Sequence, residues 1–312
     1  MERLLVVDDD PHIGQLLKNT LTQKGFEVKL CDSALSVMDE AKKYRPELII
    51  LDVMLGDGIG YEIARRIRRD PTLYRCAILF QSVIGESFDV QHALRQGGDA
   101  YLRKPYNLDN LTKQIEHLDK LIHAIESPCP VTKMPRMEAL RREVDHRLFR
   151  QEEFALCLVF MKGLSVFRKE QGLRAEQRIT DITAQTIRSV IRDCGIYETF
   201  TAHIGGGYFM VIVGIQDYRR FRDAVKAEFR NRTNELRAIG ICDPPIKASS
   251  QSSAARRSLL KLLVGVTHTN REHFMYADEM LDKLRKAEDI TQRNEPRYQH
   301  ALKKGKGHDH WI

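Results

Sequence analysis

Residues 48–51 read Leu-Ile-Ile-Leu, an unbroken apolar run with Pro46 before it, Asp52 directly after it and Gly56 beyond. A strand with no polar face is buried on both sides, as in a parallel sheet covered by helices. Open sheets of that kind collect their ligands at the carboxyl ends of the strands. Asp52 stands at such an end, held by rigid backbone and open to chemistry.

The neighbouring sequence repeats the pattern. Residues 3–7 form a strand that runs into Asp8, Asp9 and Asp10. A helix follows, with Asp10 as cap, Pro11 in the first turn and Ile13, Leu16, Leu17 and Leu21 on one face. Residues 26–30 are a second strand and residues 33–44 a second helix. After the Asp52 strand come a glycine-containing loop and a helix over residues 61–69. A fourth strand over residues 77–80 ends at Gln81–Ser82, a helix covers residues 90–96, and a fifth strand over residues 100–102 ends at Lys104–Pro105. A fifth helix opens at Asn107 or Asp109. Five alternations predict a doubly wound parallel sheet with right-handed crossovers.

The strand ends then meet. Asp8, Asp9 and Asp52 would repel one another unless a hard cation sits among them, and all-oxygen donors suit Mg²⁺. A carboxylate held there can attack a phosphoryl donor and become an acyl phosphate. Lys104 offers a point charge, and Ser82 a hydroxyl donor, to the transferred group.

With Asp8–Asp9, Asp52 followed by Val-Met-Leu, Ser82, and Lys104–Pro105 in this order, the first 120 or so residues resemble the receiver domain of two-component response regulators. The resemblance implies Asp52 as phosphoacceptor. Asp9, Asp52 and the Met54 backbone carbonyl would ligate Mg²⁺ directly, with Asp8 acting through a water. It makes Tyr101 the aromatic switch residue and a sensor histidine kinase or phosphotransfer protein the donor. Val83 departs from the small residue usual after the hydroxyl position, and its branched side chain is expected to slow access of the donor.

Leu108, Leu111, Ile115, Leu118, Ile122 and Ile125 follow heptad spacing past the length a receiver needs. This predicts a homodimer through the helix. Ser127-Pro-Cys-Pro130 breaks the pattern. Three segments are therefore expected: a receiver over 1–126, a second domain over 127–290 and a disordered basic tail over 291–312.

The second domain reads as α+β. An amphipathic helix covers residues 137–149, a strand 154–161 and a long helix 175–193. Two strands then flank Gly205–Gly206–Gly207, followed by a helix over 218–230, a Ser-, Ala- and Pro-containing loop over 240–257, a strand over 259–268 and a helix over 274–288. The strings Pro130-Val-Thr-Lys-Met-Pro-Arg136, Ile204-Gly-Gly-Gly-Tyr-Phe209, Val264-Gly-Val266 and Ala277-Asp-Glu279 with Leu281 resemble, in order, those of the GGDEF (diguanylate cyclase) module. The resemblance implies two metal ions and a guanine pocket in an active member. Here Phe160, Gly207 and Tyr208 stand at the metal positions, Arg168 and Lys169 near the guanine-reading ones, and residues 196–199 at the inhibitory product site. None of the three metal-position side chains can coordinate Mg²⁺. The expectation is a degenerate, catalytically inactive output that contacts a downstream protein. A nucleotide effector for GTP or cyclic di-GMP is the alternative, ahead of an active cyclase or a DNA-binding regulator.

The net charge of +7 divides unevenly, about −3 over residues 1–126 and about +10 over the rest. The basic residues are spread over several predicted helices, so nucleic acid is not the expected partner. No apolar run reaches a membrane-spanning length, and the amino terminus meets Asp8 to Asp10 before any signal-peptide core develops. A cytoplasmic location is expected. The six cysteines are scattered, which favours reduced thiols over disulfides or a zinc site.

Overall fold

The computed structural model describes residues 1–83, 92–238, 260–270 and 272–293. It comprises two compact units: residues 1–128 with 135–152, and residues 129–134 with the chain from 153 onward.

The first unit holds β1 (Arg3–Val7), α1 (Pro11–Gln23), β2 (Glu27–Cys31), α2 (Val37–Tyr44) and β3 (Leu48–Asp52). A two-residue hairpin follows, β4 (Met54–Leu55) and β5 (Gly58–Ile59). Then come α3 (Gly60–Arg69), β6 (Ala77–Ser82), β7 (Ala100–Arg103), α4 (Leu108–Glu126) and α5 (Met137–Phe149). The sheet is wholly parallel, in the order β2-β1-β3-β6-β7. All five residues of β3 are buried. Leu5, Val7, Ile49, Leu51, Ile78 and Phe80 face one core with α2 and α3, while Leu4, Val6, Leu48, Ile50 and Leu79 face the other with α1 and α4. Chain direction across the sheet reverses between β1 and β3, the switch point where such folds open a crevice.

The fourth predicted helix begins outside the described residues; 92–95 are helical. The heptad seam of α4 differs from expectation. Leu111, Ile115, Leu118, Ile122 and Ile125 are all buried within the single chain, and of the seam only Leu108 is exposed. The predicted dimer surface is therefore already covered, because Leu111 to Ile122 belong to the sheet core.

The helix over 137–149, assigned from sequence to the second domain, is α5 of the first unit. Asp99 explains why. Its carboxylate pairs with Arg68 of α3 at 2.8 Å and with Arg142 of α5, and accepts the Ile78 amide at 2.8 Å. Arg68 is 1% exposed and also donates to the carbonyls of Gly97, Tyr74 and Cys76. The Tyr74 hydroxyl donates to Glu143, His146 stacks on the Tyr74 ring, and His146 Nδ1 meets the Arg68 carbonyl at 2.6 Å. These polar anchors have no hydrophobic period, so the pattern of α5 alone could not reveal its partner.

The second unit holds β8 (Phe154–Lys162), α6 (Leu164–Gln171), α7 (Leu173–Asp193), β9 (Phe200–Gly205), β10 (Tyr208–Gly214), α8 (Tyr218–Ala238), β11 (Lys261–His268) and α9 (Ala277–Arg293). Its sheet is antiparallel, in the order β11-β8-β10-β9, the split β-α-β arrangement of ferredoxin-like folds. Ala155, Cys157, Val159 and Met161 of β8 pack with Phe209, Val211 and Val213 of β10 beneath Ile179 and Ile187 of α7 and Phe221 and Val225 of α8. The helix α6, absent from the sequence reading, is set off from α7 by Gly172 at φ 84°. The predicted loop over 240–257 and the residues of the predicted tail beyond 293 lie outside the described residues.

Candidate functional site

The carboxyl ends of β1, β3, β6 and β7 deliver Asp8, Asp52, Ser82 and Lys104 to the switch point. Lys104 is the hub. Its Nζ donates to Asp8 Oδ2 at 2.7 Å and to Asp52 Oδ2 at 2.5 Å. Asp8 and Asp52 are only 4% and 8% exposed, so two carboxylates are held nearly out of water with one cation between them. Burial pushes Asp8 above the usual carboxylate range, against the pull of the Lys104 bond and the Asp10 amide. Burial also works against the Lys104 charge, but its bonds to Asp52 and Asp8 outweigh this and hold it above the usual lysine value.

Asp9 lies at the exposed rim, with Oδ2 accepting the Gly56 amide at 2.9 Å. Met54 follows Asp52 by two residues, and its amide donates to Asp52 Oδ1 at 2.9 Å. Ser82 is 1% exposed at the end of β6. Tyr101 is half-buried against the core that contains Phe80. Val83 is 69% exposed, so its side chain projects into solvent at the site's edge.

Gly60 fixes the neighbouring turn. A Cβ there would lie 2.2 Å from the Asp52 carbonyl oxygen, so only glycine lets α3 start this close to the reactive strand. On the other flank, Asp57 accepts from the Ser33 hydroxyl at 2.6 Å and from the Ala34 amide at 2.8 Å, tying the loop after β3 to the loop after β2.

Two residues escaped the sequence reading. Gln81 is fully buried, and its Nε2 donates to Asp8 Oδ2 at 2.8 Å. Tyr106 Oη donates in turn to Gln81 Oε1 at 2.5 Å. The chain Tyr106–Gln81–Asp8–Lys104–Asp52 is therefore continuous. The signal was present, since a glutamine inside an apolar strand needs a buried polar partner.

The donor set tests the site for a cation. Asp8, Asp9 and Asp52 supply only hard oxygen ligands, and the burial-strained charge of Asp8 would be relieved by one. Among the described residues no three such side chains converge as they stand, because Asp9 is turned to Gly56 while Asp8 and Asp52 share Lys104. The residues fit Mg²⁺ in kind and number.

In the second unit, Tyr208 pairs across the sheet with Phe160, and the two rings stack with centroids 5.9 Å apart. A Cβ at Gly207 would meet Leu164 Cδ2 at 2.8 Å and Met161 Cβ at 3.1 Å. Arg168 pairs with Glu176 at 3.3 Å.

The family model described as response regulator receiver domain matches residues 4–116. The amino-terminal unit thus carries a response regulator receiver domain of the two-component class. Such domains bind Mg²⁺ for phosphorylation. Among curated proteins the chain is similar to the uncharacterized transcriptional regulatory protein YvcP of Bacillus subtilis, 24% identical over 228 residues covering 67% of this chain and 95% of that one. It is similar to the phosphate regulon transcriptional regulatory protein PhoB of Escherichia coli, 26% identical over 66% of this chain and 96% of that one. Among solved structures it is similar to the chemotaxis response regulator CheY4 of Vibrio cholerae, 27% identical, TM-score 0.37, over 38% of this chain and 98% of that one. No described helix is long and apolar enough to cross a membrane.

Proposed function

We propose that the protein is a response regulator whose Asp52 accepts a phosphoryl group from a sensor histidine kinase or phosphotransfer protein, and whose second unit is a degenerate GGDEF-like module acting through protein contacts. The observation that carries the first half is Lys104 bridging Asp8 and Asp52 inside a nearly dry crevice. Asp52 attacks phosphorus as the donor's leaving group departs, and an acyl phosphate forms. Lys104 exchanges its bond to the Asp52 oxygen for one to a phosphoryl oxygen, and Ser82 offers its hydroxyl to another. Asp8 holds the lysine in place, and Gln81 holds Asp8. Bound through Asp8, Asp9, Asp52 and the Met54 carbonyl, Mg²⁺ would offset the charge gathering between donor and carboxylates.

The β-αα-ββ-α-β order with its glycine hairpin supports a GGDEF-like second unit. The stacked Phe160–Tyr208 pair and the crowded Gly207 position support a loss of metal binding and of cyclase activity. A second reading, sequence-specific DNA binding, is favoured by relatives named as transcriptional regulators and by the basic charge beyond residue 126.

The test is incubation of the full chain with acetyl phosphate and Mg²⁺, followed by intact mass. One added phosphoryl group, lost on chelation of the metal, is expected. An unmodified chain contradicts the proposal. Incubation with GTP should yield no cyclic di-GMP. Salt-resistant retention on promoter-length DNA would favour the second reading.

A further inference from the structure

Cys129 stands apart from the other cysteines among the described residues. It opens the turn Cys129-Pro-Val-Thr132, and its Sγ lies 3.0 Å from Nδ1 of His203 on β9. His203 Nε2 sits 2.8 Å from the Gly206 carbonyl, which can only accept. The ring therefore carries a proton on Nε2, and Nδ1 presents a lone pair to the thiol when the imidazole is neutral. Stacking on Phe209, centroids 4.7 Å apart, fixes the ring in that orientation. A base held by a third group and aimed at a nucleophile is the arrangement that activates cysteine.

The turn is rigid. The Cys129 amide donates to the Met134 carbonyl and the Lys133 amide to the Cys129 carbonyl, both at 2.8 Å. Arg188 of α7 holds the Thr132 carbonyl at 2.5 Å. Cys129 is 8% exposed but lies between exposed Pro128 and Pro130, beneath a surface turn rather than inside the sheet.

We propose that Cys129 and His203 form a thiolate–imidazolium pair that makes Cys129 a modification site for small hydroperoxides, a redox input separate from Asp52. The thiolate sulfur attacks one oxygen of hydrogen peroxide. The S–O bond forms as the O–O bond breaks, sulfur is oxidised by two electrons, and cysteine sulfenic acid results. The departing hydroxide takes the proton held at His203 Nδ1 and leaves as water.

The chemistry of the pocket agrees. Burial opposes the thiolate, but the hydroxyl and amide of Thr132, His203 and the Val131 amide outweigh it and draw Cys129 from the usual thiol value of 9.0 down to about 6. Burial pushes Cys76 and Cys157 up to about 12, so they serve as unreactive internal controls. Cys194, half-exposed on the surface, is the control for access.

The experiment exposes the native full chain to hydrogen peroxide between about pH 5 and about pH 9, traps sulfenic acid with a 1,3-dione and quantifies each cysteine peptide by mass spectrometry. Cys129 should be oxidised at least about tenfold faster than Cys194 at neutral pH, with a half-maximal rate near pH 6. In His203→Gln that midpoint should rise by at least about one pH unit. A wild-type Cys129 that stays unmodified while Cys194 reacts, or that titrates like an ordinary thiol, overturns the proposal. So does a midpoint unmoved by His203→Gln.

Discussion

Replacing Asp99 with alanine should destabilise the first unit about as much as a large apolar truncation in its core. The Asp99 carboxylate bridges Arg68 and Arg142, whose side chains are 1% and 9% exposed. The substitution leaves both guanidinium groups facing each other out of water and also strips the Ile78 amide of its acceptor. Breaking a buried pair by removing one partner costs about 3–5 kcal/mol. In a unit of this size that is a melting shift on the order of 10 °C. Asp99→Asn keeps an acceptor for Ile78 but not the charge, so it should lose most of the same amount. Arg142→Met leaves Asp99 paired with Arg68 and should cost less than half as much. Urea unfolding followed by circular dichroism gives the loss, and hydrogen exchange locates it in β6 and α5. A loss below about 1 kcal/mol, or unchanged protection over residues 137–149, would refute the view that this cluster holds α5 to the receiver. Acid should mimic the mutation. Burial opposes the Asp99 charge, but Arg142 and Arg68 hold its folded-state value below the ordinary 3.8. Its contribution is therefore present above that value and is lost as pH falls through the depressed one.

Gly60→Ala should cost about 1–3 kcal/mol and slow phosphorylation, because its Cβ would press on the Asp52 carbonyl at 2.2 Å; an unchanged melt and labelling rate would contradict this. Ile122→Lys should destabilise the chain without changing its sedimentation coefficient, since Ile122 is buried in the sheet core rather than at a dimer seam; a shift from dimer to monomer would restore the heptad reading. Gly207→Asp with Tyr208→Glu should yield no cyclic di-GMP from GTP and should melt lower, because the new side chain at 207 meets Leu164 and Met161.

The parallel sheet was legible because β3 has no polar face and because four of the five strands, β1, β3, β6 and β7, end on or beside a residue that only a site would need. Asp8, Asp52, Ser82 and Lys104 could be placed together from strand ends alone. Gln81 was read merely as the end of a strand, although its burial beside Asp8 makes it part of the hydrogen-bond chain. The seam of α4 misled for a physical reason: a helix packed along a sheet and a helix in a coiled coil bury the same positions over a few turns. The placement of α5 was invisible, since Arg142, Glu143 and His146 look like solvent-facing residues until Asp99, Tyr74 and Arg68 are seen opposite them. The hairpin glycines were legible from turn chemistry, with Gly205 and Gly206 at φ 115° and 52°.

The central claim is that Asp52, rather than Asp8 or Asp9, becomes the acyl phosphate. Borohydride reduction after incubation with acetyl phosphate and Mg²⁺ converts a phosphorylated aspartate to homoserine, which peptide mass spectrometry assigns to one position. Homoserine at residue 52, absent without the metal and absent in Asp52→Asn, is the predicted result. Homoserine at residue 8 or 9, or none in a chain that gains phosphate, would contradict the account.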